Sequence, residues 1–392
     1  MIKAILFPSD VFSIREVDSS YQNEYEAVIE SGDFQIYLYD YEEFVREGIL
    51  RLNRTPSENT CTLLRGWMLK AEQYESFYNQ LLERNIELIT TPEQYCTMHL
   101  FPNVYPLIAE DTPRMLVYPE TGDETAEAKI NLDEIKSEFS RFMVKDFVKS
   151  EKGTDFPKFF DSAALTEKEF FNWLRIFRQY RDKLFTGGIC IKEFVDLKKY
   201  GDRTNEWRVF YLGGNILSVC RNSGQLDFVP EVPKSLVEKY RKLPSPFYTV
   251  DYAELADGSW MILEAGDGQV SGLSDGQNER AFFRGIKSFQ INKCLGCQRK
   301  EITEKMICWS CMRNIVVAVE LNKFTIITHC PKCGAFASTY FSPCEKAAMK
   351  LKSSYGHTID KSTNEYVKKH VDYFKKGGDC PYDENVNNRR DS

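Results

Sequence analysis

The hydrophobic and polar positions of the first hundred residues change period repeatedly. Residues 2–7 (IKAILF) form a short apolar run ended by Pro8, and residues 34–38 (FQIYL) form another. Tyr74, Phe77, Tyr78, Leu81 and Leu82 then recur at i, i+3, i+4, i+7 and i+8, one face of a helix. Residues 86–89 read as a strand, and Thr91-Pro92-Glu93 reads as a helix start, with proline where no N–H is needed. This β-α-β-α order predicts a small parallel α/β unit over residues 1–128, with the acidic run 120–127 as a loop.

The pattern changes after residue 130. Residues 143–148 (MVKDFV) predict a strand followed by a polar loop containing Gly153. Thr166 and Glu169 form a capping box ahead of a helix that carries Phe170, Trp173, Leu174, Phe177, Tyr180 and Leu184. Gly187-Gly188 precedes a strand at 189–195. Two hairpins follow, 207–212 with 216–220 across Gly213-Gly214-Asn215, and 247–253 with 260–264 across Asp257-Gly258. A helix with antiparallel hairpins makes residues 129–286 an α+β domain.

Composition separates a third region. The chain of 392 residues carries a net charge of −7, but residues 287–392 alone carry +7 and hold eight of the twelve cysteines. Cys294-x2-Cys297-x10-Cys308-x2-Cys311 has the spacing of two thiolate knuckles closing a tetrahedral Zn²⁺ site. Cys330-x2-Cys333-x10-Cys344 repeats it, with Ala347 where a fourth ligand belongs; His329, His357 or Cys380 are the substitutes. In a rival pairing Cys308/Cys311 face Cys330/Cys333, leaving Cys294 and Cys297 for Cys344 and another partner. The expectation is a zinc-ribbon-like module, its positive charge offering a contact for nucleic acid or an acidic protein. No apolar run approaches the ~20 residues that span a bilayer, and the start MIKAILFPSD turns polar too soon for a secretory signal. A cytoplasmic protein without a membrane partner is expected.

Charged residues on core strands carry the chemistry. Lys145 lies amid apolar neighbours, with Lys149 four residues on, and a lysine so placed requires an anion: a nucleotide phosphate or a structural carboxylate. Glu193 is a buried-looking carboxylate in IKEFV. Glu206 and Arg208 share one side of a strand, two residues apart, where an arginine can steady a transferring phosphoryl group. Asp251 and Glu264 lie on neighbouring strands of a hairpin, a common arrangement for holding Mg²⁺ together with substrate phosphates. Only His99 precedes residue 287, so histidine acid–base chemistry is not expected; His99 and the four early cysteines read as packing residues.

The stretches LLRGWML (63–69), MVKDFVKS (143–150), IKEFVD (191–196), NEWRVFYLGGNILSV (205–219) and FYTVDYAELADGSWMILEAGDGQVSGL (247–273) resemble an ATP-grasp enzyme, of the compact clade named for two arginines and one lysine. The resemblance covers about three-quarters of the chain and stops before the cysteines. It implies two α+β subdomains clamping ATP. Lys145 would bind ATP phosphates, with Lys149 a second candidate. Glu193, Phe194 and Val195 would line the adenine and ribose pocket beside Glu206, and Asp251 and Glu264 would hold Mg²⁺. Where relatives carry an asparagine after the second carboxylate, this chain has Gly266, then Asp267, a candidate third ligand. Arg208 would face the γ-phosphate and Arg65 would reach toward substrate. The implied activity is a carboxylate–amine ligase working through an acylphosphate on a peptide, protein or amino-acid-like substrate. A non-enzymatic ATP-binding assembly factor and a nucleic-acid-associated ATP-binding protein are the alternatives.

Overall fold

In the computed structural model, strand β1 (Ala4–Asp10) lies between β3 (Gln35–Tyr39) and β4 (Thr60–Leu64), parallel to both. Beyond β4 runs β5 (Ile86–Leu88), again parallel, while β2 (Ser13–Val17) folds back antiparallel on the end of β1. The structure describes residues 2–120, 125–226 and 228–289, and three short strands at 324–326, 339–342 and 350–353. Helices α1 (Gln22–Ser31), α2 (Tyr41–Glu47) and α3 (Ala71–Leu82) alternate with the strands. The centre of β1 is covered on both faces, which is why it reads as an unbroken apolar run. It does not stop at Pro8. That residue makes the last pairing with β3 and lies beyond the pairing with β4, so its missing N–H interrupts no inner rung. Its carbonyl accepts from the Asp18 N–H at 3.0 Å.

Two helices, α4 (Pro92–His99) and α5 (Phe101–Ile108), carry the chain onward. Thr91 and Gln94 cap α4 reciprocally, and Pro92 sits in its first turn as the sequence predicts. An antiparallel sheet follows, in the order β6 (Met115–Pro119), β9 (Gly188–Glu193), β7 (Arg141–Asp146), β8 (Phe160–Asp161). Helices α6 (Leu132–Glu138) and α7 (Glu167–Arg181) accompany it, and Phe142, Phe160, Phe170, Leu174, Phe177, Ile189 and Ile191 form its core. Strand β6 pairs with β9 although it precedes the expected division at 128/129. Of the expected loop at 120–127, residues 121–124 lie outside the described residues.

The second antiparallel sheet includes β12 (Glu206–Leu212), β13 (Asn215–Arg221), β14 (Phe247–Glu254) and β15 (Trp260–Asp267), in the order β13-β12-β14-β15; the two-residue strands β10 (Lys199–Tyr200) and β11 (Arg203–Thr204) pair with each other. Gly213 and Gly214 turn the first hairpin with φ of 56° and 76°, the left-handed pair that a two-residue hairpin needs. One face of this sheet, with Val209, Tyr211, Tyr248, Val250, Tyr252 and Ile262, packs against Met98, Phe101, Val104 and Ile108 of α4 and α5 and Val237 of α8 (Lys234–Lys239). On the other, Phe210 and Phe247 meet Phe282 of α9 (Glu279–Phe289). The chain divides into compact units at 1–286 and 287–392. In the second unit β16 (Phe324–Ile326), β17 (Thr339–Ser342) and β18 (Lys350–Ser353) pair antiparallel. Cys294, Cys297, Cys308, Cys311, Cys330, Cys333 and Cys344 lie outside the described residues. No helix among the described residues is long and apolar enough to cross a membrane.

Candidate functional site

Three strands set one row of charge. Antiparallel pairing places Arg208 of β12 opposite Asp251 of β14, and Asp251 opposite Glu264 of β15. The Arg208 guanidinium meets the Asp251 carboxylate fork to fork, Nε to Oδ1 at 2.8 Å and Nη2 to Oδ2 at 2.7 Å, and Nη1 donates to the Gly272 carbonyl at 3.0 Å. Glu206, two residues back on β12, accepts from the Thr204 hydroxyl at 2.6 Å.

Across from this row stand two lysines. Strands β7 and β9 pair Met143 with Lys192 and Lys145 with Cys190, so both lysines project from the same face of the first sheet. Both are buried, at 5% and 4% exposure, and their Nζ atoms stand 4.5 and 4.3 Å from the centre of the Phe101 ring. Lys145 Nζ is 3.6 Å from Glu264 Oε1. Lys192 Nζ donates to the Leu263 carbonyl at 2.6 Å.

Electrostatics follow from this surplus of cations. Burial favours the neutral acid of Glu264, but Lys145, Lys149, Lys192 and Lys152 together outweigh it and hold the carboxyl down at about 2. Lys192 moves the opposite way. Burial first, then its neighbour Lys145, bring its ammonium down to about 7, Glu264 and Cys190 opposing. His99, at the end of α4, stacks on Tyr95 at 4.7 Å and faces the same charges. Burial, then Lys149 and Lys145, lower it to about 4 against the pull of Glu264, so it is neutral at pH 7.

Several expected site residues lie elsewhere. Arg65 does not reach toward an open substrate site. It is wholly buried, its guanidinium bound to both Glu24 oxygens at 2.7 and 2.9 Å and to the Gly268 carbonyl at 2.5 Å, between the rings of Phe210 and Phe282. Asp267 is three residues from Glu264 on one strand, an odd spacing that turns it to the opposite face. It is 1% exposed, with Oδ1 accepting from the Gln269 backbone N–H at 3.0 Å and its amide at 3.2 Å. Burial raises it to about 7, which Gln269 and Arg65 only partly offset.

Strand β7 ends at Asp146 rather than 148, because the Asp146 carboxylate takes the N–H groups of Val148 and Lys149 at 2.7 Å each. Lys149 is therefore an exposed turn residue whose charge still acts on Glu264. In β9 the buried charge is Lys192, not Glu193. Glu193 pairs with Arg114 at 3.2 Å, and Phe194 and Val195 follow the strand's end, Phe194 stacked on Phe159 at 4.5 Å. Cys190 is a buried free thiol pushed by burial up to about 12, while Cys61, Cys96 and Cys220 are free and partly exposed.

Asp251 and Glu264 offer two hard carboxylate oxygen donors side by side, a set that suits Mg²⁺ when phosphates complete the shell. Among the described residues no group of three histidine, cysteine or carboxylate side chains stands ready for a metal, in keeping with Asp267 facing away.

Lys145 of one antiparallel sheet thus faces Glu264 of the other, and Glu264 lies in the row with Asp251 and Arg208. Residues 131–286 match a family model of the ATP-grasp domain, that of family 3 in the clade named for two arginines and one lysine. The match covers β7 through β15 and includes Lys145, Lys192, Arg208, Asp251 and Glu264. Solved structures similar to the chain include the ATP-grasp ligase PsnB complexed with minimal precursor, 10% identical with a TM-score of 0.46 over 73% of this chain and 99% of that one. D-cycloserine synthetase DcsG is 14% identical, TM-score 0.48, over 72% and 98%. D-alanyl-alanine synthetase A from Vibrio cholerae O1 biovar eltor str. N16961 is 10% identical, TM-score 0.44, over 73% and 98%. No curated protein matches the sequence.

Proposed function

We propose that the chain is an ATP- and Mg²⁺-dependent carboxylate–amine ligase acting on a peptide, protein or amino-acid-like substrate. The observation that carries this reading is the meeting of Lys145, Arg208, Asp251 and Glu264 between two sheets of an ATP-grasp domain. The site offers charge and position without an activated histidine or thiol: its histidine is a neutral stacked ring and its buried thiol is held protonated. That suits phosphoryl transfer, where positioning and charge neutralisation supply the acceleration. Lys145 neutralises the phosphates and Arg208 faces the transferring phosphoryl group. Asp251 and Glu264 hold Mg²⁺, which when bound offsets the negative charge of the phosphate oxygens. The substrate carboxylate attacks the γ-phosphorus and ADP leaves. The amine then attacks the acylphosphate carbonyl and the carbon–oxygen bond to phosphate breaks, giving an amide and inorganic phosphate, which carries the proton the amine nitrogen loses. Glu193, Phe194, Val195 and Glu206 line the nucleoside side in this reading. The cysteines from Cys294 to Cys344, by their spacing, hold zinc in a module that positions the partner.

The test supplies ATP, Mg²⁺ and pooled carboxylate and amine candidates to the full chain and follows ADP release with product mass. ADP appears only when both substrates are present, and Lys145→Ala and Asp251→Asn each reduce the rate by at least about 100-fold, since each removes charge stabilisation of the transition state. Tight nucleotide binding without turnover in any substrate mixture overturns the ligase reading.

A further inference from the structure

Arg65 and Arg208 hold opposite ends of one short segment, Gly268 to Gly272. Arg65 Nη1 donates to the Gly268 carbonyl at 2.5 Å, and Arg208 Nη1 donates to the Gly272 carbonyl at 3.0 Å. Between these ends the Gln269 carbonyl accepts from the Gly66 N–H at 3.0 Å, and the Gln269 amide donates to the Tyr74 hydroxyl at 2.9 Å. The Ser271 hydroxyl meets the Thr249 hydroxyl at 2.9 Å and donates to the Asp267 carbonyl at 2.8 Å. The two glycines are held differently. A Cβ on Gly268 would lie 2.8 Å from the Phe247 ring, so that end is tightly seated. A Cβ on Gly272 would meet nothing within 4 Å beyond its chain neighbours, so the carbonyl that Arg208 uses is placed by hydrogen bonds along the segment rather than by packing against it.

Arg65 is itself set from α1. Both Glu24 oxygens grip its guanidinium, at 2.7 and 2.9 Å, and a wholly buried arginine paired fork to fork has one orientation open to it. Arg208 has two partners. One is the Asp251 carboxylate, whose oxygens the proposed function assigns to Mg²⁺; the other is the Gly272 carbonyl, which that function leaves to Arg208 alone. We infer that Glu24 and Arg65 are positioning residues for Arg208: they fix the segment from Gly268 to Gly272 so that its last carbonyl aims the Arg208 guanidinium at the γ-phosphoryl group. The inference rests on the ATP reading of the site. It confines the effect of this distant pair to whatever touches the γ-phosphoryl group and leaves the rest of the nucleotide's contacts alone, because the segment reaches Arg208 and neither Lys145 nor the strand ends at Glu193.

Calorimetry of the full chain with MgADP and with Mg²⁺ and AMPPNP compares a nucleotide that lacks the γ-phosphoryl group with one that carries it and cannot transfer it. Arg65→Lys keeps the charge and loses the fork; it lowers the ratio of AMPPNP to ADP affinity roughly three- to tenfold, with ADP affinity unchanged within about twofold. Glu24→Gln, which removes the fork's partner, moves the ratio in the same direction. In an Arg208→Lys background Arg65→Lys no longer changes the ratio, since two residues acting through one contact are not additive. Leu81→Ala, a buried core change in α3, lowers Tm and leaves the ratio where it was. An unchanged ratio in folded Arg65→Lys and Glu24→Gln, effects that add to those of Arg208→Lys, or an equal shift in Leu81→Ala each overturn the inference and leave the ATP reading intact. Absence of nucleotide binding, or a ratio indifferent to Arg208→Lys, overturns the reading of the site and the inference with it.

Discussion

Arg65 and Asp267 illustrate how a charged side chain in this chain is committed by what surrounds it. Arg65 joins Glu24 of α1 to the loop after β15, and its partner is nearly as buried as it is. Removing one member leaves the other an unpaired buried charge, so Arg65→Ala is expected to cost about 3–5 kcal/mol in denaturant unfolding. A substrate-binding arginine would instead lower turnover with stability unchanged. Asp267 has the opposite character. Its folded-state value near 7 lies above the unfolded 3.8, so between these values the folded protein retains a proton that the unfolded chain has released. Its contribution therefore falls as pH rises from about 4 through 7 and stays unfavourable above. Asp267→Asn should raise Tm by a few degrees at pH 8 and by much less at pH 5, as thermal melts at the two pH values will read.

At the scale of elements, strands and caps were legible where local rules act alone. The capping box of Thr166 and Glu169 forms as the sequence predicts, with the Thr166 hydroxyl accepting from the Glu169 N–H at 3.3 Å and Glu169 Oε2 returning to the Thr166 N–H at 3.0 Å. Thr166→Ala is expected to cost about 1 kcal/mol. Gly188→Ala should be worse, by urea midpoint, because a Cβ at φ 150° would lie 2.3 Å from the Tyr118 carbonyl of β6. The phase of β9 was harder. Its residues 188–192 are all buried, so alternation offers little to tell inward from outward, and the cation rather than the carboxylate faces the cleft. Cys190 and Lys192 share that face two residues apart, which was the available signal. The partner of β6 was illegible because β9 lies about seventy residues further along.

For the whole molecule, the change in charge and cysteine content near residue 287 coincides with the division into two compact units. If the cysteine spacing is a metal framework as proposed, metal analysis of the full chain will return at least about one zinc per molecule, and fewer would remove the module assignment. Within residues 1–286, the sequence by itself determined several of the strands and helices, the capping boxes of α4 and α7, the two hairpin turns and the pairing of Asp251 with Glu264, because hairpin pairing follows from alternation and turn chemistry between near neighbours; that Arg208 meets Asp251 was decided by the pairing of two separate hairpins. Tertiary structure alone decided which charges meet across sheets. It set Lys145 and Lys192 against one aromatic ring, drew His99 to the same charges, and withdrew Arg65 and Asp267 into a buried clamp. Those outcomes depend on desolvation and on contacts between residues far apart in the chain, and neither is encoded in local periodicity.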